Sequence, residues 1–140
     1  MGMRFLTLLL VLVSVKLFSQ QDIESVIGPQ SRADLSTKSV KAIMFYEGAL
    51  KFFNSKQDEA SLKELDKALL EDSLFYEAYL LKAEIYNLRE DYFNEANNYK
   101  KVVKIKPDCN PLVYLYYGAS LINTGEYKSA RNNLNKDLVS

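Results

Sequence analysis

Paired carboxylates are the groups in this chain best placed to do chemistry. Asp58-Glu59, Glu71-Asp72 and Glu90-Asp91 each set two acids side by side. Two neighbouring acids whose environments push their proton affinities apart can share general acid–base work. All three pairs fall at or near predicted helix junctions, where capping and solvation account for them without catalysis. The usual helpers are missing. Among 140 residues there is no histidine, which removes the commonest general base and the commonest metal ligand. The single cysteine, Cys109, lies between Asp108 and Asn110 and close to Pro107 and Pro111. It can form neither an intrachain disulfide nor a cysteine-rich metal site. It reads as a loop thiol without a role, with pairing to another chain as the alternative. Lys100, Lys101, Lys104 and Lys106 crowd the end of one predicted helix, where cations suit the helix dipole. Lys and Arg total 18 against 18 Asp and Glu, so there is no basic excess to hold nucleic acid or an acidic membrane surface. No glycine-rich phosphate loop, metal spacing or nucleophile–base pair occurs. The expectation is a non-catalytic protein with no cofactor and no metal.

The elements that would position these groups begin after a leader. MGMRFLTLLLVLVSVKLFSQQ opens with the basic Arg4, continues with a run from Phe5 to Val15 broken only by Thr7 and Ser14, and reaches a small residue at Ser19. That is the form of a secretory signal peptide over residues 1–19. The run is shorter than the ~20 residues of a comfortable membrane span, and Lys16 interrupts it. No stable span is expected once the leader is cut. Loss of Arg4 and Lys16 leaves 16 basic against 18 acidic residues, a net charge of −2. Residues 20–37 are polar, contain Gly28-Pro29, and read as a flexible lead-in.

From residue 38 onward the chain repeats itself. Shifted by 34, Phe45 meets Tyr79, Ala49 meets Ala83, Phe52 meets Tyr86, Leu65 meets Tyr99 and Ser73 meets Pro107. Shifted by 35, Tyr79 meets Tyr114, Ala83 meets Gly118, Tyr86 meets Leu121 and Tyr99 meets Leu134. The extra residue falls in the loop around Cys109. Each unit reads as two helices. The first helix carries large, small and large residues four and then three apart, which places them on one face. The second carries its own stripe, such as Leu62, Leu65, Ala68 and Leu69. Asn54-Ser55 and Thr124-Gly125 mark turns within a pair, and Asn110-Pro111 reads as an N-cap followed by proline at the first helical position. The expected units are about residues 42–75, 76–110 and 111–140. Gly118 sits inside a predicted helix, at a cost of about 1 kcal/mol relative to alanine. A close approach of the partner helix would offset that cost.

This pattern resembles the tetratricopeptide repeat. Unit three carries the resemblance best, with Tyr114, Gly118, Leu121, Gly125, Tyr127, Ala130 and Leu134. Unit two follows with Tyr79, Ala83, Tyr86, Tyr92, Tyr99 and Pro107, but has Glu90 for the turn glycine and its alanine displaced to Ala96. Unit one departs most, with Asp58 and Ser73 at positions of a tyrosine and a proline. The resemblance covers about residues 38–140. It implies an all-α fold, an α-solenoid of about three helix-turn-helix repeats after an N-terminal signal segment. It also implies a function, a protein–protein interaction scaffold of the bacterial cell envelope, exported to the periplasm or otherwise envelope-associated.

In such a stack the first helices line a concave groove, and repeats bury their cores only against neighbours. Ile43, Tyr46, Leu50 and Phe53 in unit one, Glu77, Leu80, Glu84 and Asn87 in unit two, and Leu112, Leu115, Ala119 and Ile122 in unit three lie away from the intra-pair face. The partner groove is therefore expected at Tyr46, Leu50, Phe53, Glu77, Leu80, Glu84, Asn87, Leu115, Ala119 and Ile122. It would be apolar at both ends with two carboxylates between, suited to a peptide segment or partner protein. The lead-in, with Ile23, Val26 and Ile27, is the rival occupant. Relatives that grip a C-terminal carboxylate use lysines and asparagines; here Tyr46, Leu50, Leu81, Leu112 and Tyr116 stand there, so that activity is not implied. The chain stops at Ser140 with Asp137 where a small apolar residue is expected. This suggests an end covered by a partner or a second copy, or a shortened relative of a larger envelope protein. A structural, self-assembling protein that contacts through its repeat ends is the alternative.

Overall fold

The structure, a computed structural model, describes residues 32–126. The leader, most of the lead-in and the last second helix of the expected repeat, with whatever passes Gly118 there, lie outside the described residues. Within them the chain is helical and has no strand. A short 3-10 turn at Arg32–Asp34 leads into α1 (Val40–Asn54), α2 (Asp58–Glu71), α3 (Tyr76–Leu88), α4 (Tyr92–Ile105) and α5 (Pro111–Asn123). Helices adjacent in the chain are adjacent in space: α1 packs on α2, α2 on α3, α3 on α4 and α4 on α5.

Local chemistry explains the boundaries. The Ser39 hydroxyl accepts from Ala42 N–H at the start of α1. Asp91 accepts from Asn94 N–H at the start of α4, and Asn110 from Leu112 N–H at the start of α5, with Pro111 at the first helical position. Each satisfies a donor that has no partner within the helix. The three acid pairs also lie at helix ends, but only Asp91 caps a helix with its side chain. Asp58 and Glu59 open α2, the Asp72 carboxylate accepts from Leu74 N–H, and Asp91 is the cap just described.

The period seen in the sequence recurs in the backbone. Lys56, Glu90 and Gly125 all adopt left-handed φ, at 59°, 57° and 83°, spaced 34 and then 35 residues apart. At each, the following residue donates back across the helix end: Gln57 N–H to Phe52 O, Asp91 N–H to Tyr86 O, and Glu126 N–H to Leu121 O. This is the closing pattern of a helix ended by a left-handed residue. A tyrosine contact recurs at the same spacing, Tyr79 Oη donating to Ser73 O and Tyr114 Oη to Pro107 O. Only one of the three left-handed sites holds glycine, although a side chain there is strained. Glu90→Gly should therefore raise the unfolding free energy by about 0.5–1 kcal/mol, the relief of strain being partly offset by the looser unfolded chain. Urea unfolding beside Glu90→Ala, which should show no gain, checks this.

Two cores result. Leu35, Ala42, Tyr46, Ala49, Leu62, Leu65, Ala68, Phe75, Ala78, Leu81 and Ile85 form the first, between α1, α2 and one side of α3. Leu80, Ala83, Ala96, Tyr99, Val102, Cys109, Val113, Tyr114, Tyr117 and Leu121 form the second, between the other side of α3, α4 and α5. The loop thiol of the sequence reading thus lies inside a core, where it is poorly placed for exchange with another chain.

Candidate functional site

Glu77, Glu84 and Leu88 lie on one line of α3, seven and then four residues apart, between the side facing the first core and the side facing the second. Of the expected groove residues of unit two, Glu77 is only 2% exposed and Glu84 4%. Leu80 is buried in the second core. Asn87 is half-buried and donates from Nδ2 to Glu95 Oε1 at 3.0 Å.

Glu77 is engaged by the chain itself. The Ser36 backbone N–H donates to its Oε1 at 2.9 Å, and the Ser36 hydroxyl donates to its Oε2. Leu35 drops into the first core beside Tyr46 and Phe75, and Thr37 is buried next to it. Arg32 pairs with Glu47 of α1. Residues 32–37 therefore form a strap across α1 to the start of α3. Burial pushes the Tyr46 phenol well above its ordinary range, helped by the charge of Glu77. Tyr46 is buried, while Leu50 and Phe53 are half-buried against the first core. Of the expected surface, Leu35 to Thr37 take up Tyr46 and Glu77, while Leu50 and Phe53 keep part of their surface. Ile23, Val26 and Ile27 lie outside the described residues.

The unit-three end is open. Leu115, Ala119 and Ile122 follow one another at four and three residues along α5, all exposed, with Leu115 at 45% and Ile122 at 44%. Leu88 at the end of α3 is exposed as well.

The least expected group is Glu95. It is 2% exposed on the first turn of α4, 34 residues after Ser61, whose buried hydroxyl donates to Ala49 O. It therefore occupies the place of a small residue at the closest contact of a helix pair. Glu84 and Glu95 each leave Oε2 without a hydrogen-bond partner among the described residues. Burial pushes both carboxyls up to about 7. The Lys56 charge works the other way on Glu84, as does the Asn87 hydrogen bond on Glu95, while the Glu84 charge raises Glu95 further. Both acids act on Tyr99, which burial has already driven up, and the Tyr99 ring stacks on that of Tyr116 at 6.4 Å. The site is thus a buried acid pair joined through Tyr99 to α5. The displaced alanine of unit two was the signal in the sequence: where Ala96 slipped by one, Glu95 took the small-residue position.

Among the described residues no group of three or more acids, cysteines or histidines could hold a metal ion, and no helix is long and apolar enough to cross a membrane. No protein-family model matches the chain, and no curated protein matches it.

Proposed function

We propose that this protein is a non-catalytic scaffold that binds a segment of another protein along the exposed face of α5 and the exposed end of α3. The recurrence of the same left-handed turn at 34 and 35 residues carries the reading. A helical hairpin repeated at that spacing favours a stacked solenoid of the tetratricopeptide kind, and such a stack offers an extended surface. Leu115, Ala119 and Ile122 supply a row of exposed apolar anchors on α5, and Leu88 is a further exposed apolar residue at the end of α3; exposed apolar patches mark interaction sites. The signal-like leader supports export and a place in the cell envelope. With Leu35 to Thr37 strapped over unit one, recognition narrows to units two and three.

Affinity capture from an envelope fraction tests this. Leu115→Glu should cut retention of the partner at least tenfold without changing the helical content, because a charge replaces an apolar anchor. Equal retention by both proteins would defeat the reading. Self-assembly is favoured by a different observation. Val40 and Met44 stand exposed four residues apart on α1, at the edge where a further repeat would stack. Sedimentation separates the two, since assembly through that edge should be lost in Met44→Glu and kept in Leu115→Glu.

A further inference from the structure

We propose that residues 23–27 of this chain's own lead-in cover Val40 and Met44, the exposed apolar half of the outer face of α1, and so close the front edge of the helical array. The proposal goes beyond the scaffold reading and does not depend on what binds α5.

The repeat identifies the face. A shift of 34 residues places Met44 on Ala78, Glu47 on Leu81 and Lys51 on Ile85. Ala78, Leu81 and Ile85 are fully buried in the first core, on the side of α3 turned towards α1 and α2. The equivalent line of α1 is therefore the side that a preceding element would cover. Val40, Met44, Glu47 and Lys51 follow one another four, three and four residues apart, which puts them on one face. The two halves of that face differ. Val40 and Met44 are apolar and stand 68% and 60% exposed. The other half carries charge where α3 carries Leu81 and Ile85, and its Glu47 is already paired with Arg32.

That division selects the occupant. A second copy laid along the whole line would bury the Arg32–Glu47 pair and Lys51, at the cost of taking charges out of water. A short segment over the first half leaves them solvated. The strap brings such a segment to the place. Followed towards the N-terminus, Ser36 is held by Glu77 of α3, Leu35 lies in the first core with Tyr46 of α1, and Arg32 reaches Glu47 on the outer face. The contacts thus run from α3 across α1 to the line that holds Val40 and Met44. Just upstream, Ile23, Val26 and Ile27 supply three apolar side chains within five residues. Ile27 precedes Arg32 by five residues, a link that spans up to about 17 Å when extended. Glu47 to Val40 is seven residues of helix, about 10 Å. The segment therefore reaches both apolar residues while the strap stays in place.

Met44 makes the test direct, because it is the only methionine after Met3. In the full chain labelled with ¹³C at the methionine methyls, its resonance is identified by its loss in Met44→Leu. A soluble gadolinium chelate relaxes methyl groups that are open to water. It should act on Met44 at least about threefold more strongly in the Ile23→Ser, Val26→Ser, Ile27→Ser variant than in the parent, since the apolar cover is then gone. Equal relaxation in the two proteins would overturn the proposal. Protection in the parent that disappears on dilution would assign the cover to a second copy, and would overturn it too. A cysteine pair decides the matter if the triple variant loses helical content. Val26→Cys with Met44→Cys should close a disulfide within one chain at least about tenfold faster than Val26→Cys with Phe93→Cys, because docking raises the effective concentration of the first pair only. Phe93 is the fair control, being 63% exposed on α4. Equal rates, or links formed only between chains, would overturn the proposal.

Discussion

Phe75→Ala should lower the free energy of unfolding by about 3–5 kcal/mol, the range for deleting a buried aromatic ring from a packed core. Phe75 is fully buried and is the largest such side chain among the described residues. It stands at the N-cap of α3, where the second helical pair joins the first. Its ring meets Tyr46 of α1 at 5.0 Å with the planes tilted by 57°, and it shares a core with Leu35, Leu65 and Leu81. Removal would loosen the strap, α1, α2 and α3 together, in a domain whose total stability is on the order of 5–15 kcal/mol. Urea unfolding followed by circular dichroism measures the loss. Leu70→Ala is the control, because Leu70 is 86% exposed and its loss should stay within about 0.5 kcal/mol. A loss of under about 1 kcal/mol for Phe75→Ala would mean that the junction is not packed as described.

Stability should also fall as pH rises from about 4.5 to above 7. Glu84 and Glu95 are held up at about 7, against 4.5 for an ordinary glutamate. In that window the native state binds more protons than the unfolded chain, so their contribution is complete below 4.5 and is lost as pH climbs through 7. One carboxyl held that far up accounts for roughly 3 kcal/mol, since each tenfold change in proton affinity corresponds to about 1.36 kcal/mol, and the second adds to it. The exposed Glu47 works in the opposite sense, because Arg32 holds its carboxyl below the ordinary range; its stabilising effect is lost only as pH falls. Melts at pH 5 and pH 8 provide the measurement. The Glu84→Gln, Glu95→Gln double variant should flatten the profile and exceed the parent in stability at pH 8. A parent equally stable at both values would contradict the burial of the pair.

The local features were legible in the sequence because they depend on residues close together in the chain. Asn110-Pro111 started a helix where proline has no N–H to lose and asparagine can cap. Thr124-Gly125 ended one where glycine accepts positive φ. The aligned small residues Ala49, Ala83 and Gly118 are all buried, as the four-and-three spacing implied. The candidate site was legible only in part. Leu115, Ala119 and Ile122 share one exposed face of α5, a placement that follows from helical periodicity alone. Whether a face is open depends on what lies over it, and periodicity carries no information about that.

Glu77 shows the limit most directly. Its place on α3 follows from spacing, but Ser36, 41 residues earlier, takes both of its oxygens. Cys109 looked like a loop thiol between prolines and is instead drawn into the second core. Glu95 stands on the first turn of a helix, where an acid is ordinarily solvated, yet it is buried in the place that Ser61 takes in the preceding pair. By itself the sequence determined the helices, their turns and their spacing, since hydrogen bonds over three to five residues and the preferences of Gly, Pro, Asn and Asp govern these. Only the tertiary structure decided which carboxylates lost water and partners, because desolvation is set by the segments that pack over a group, and those come from distant parts of the chain.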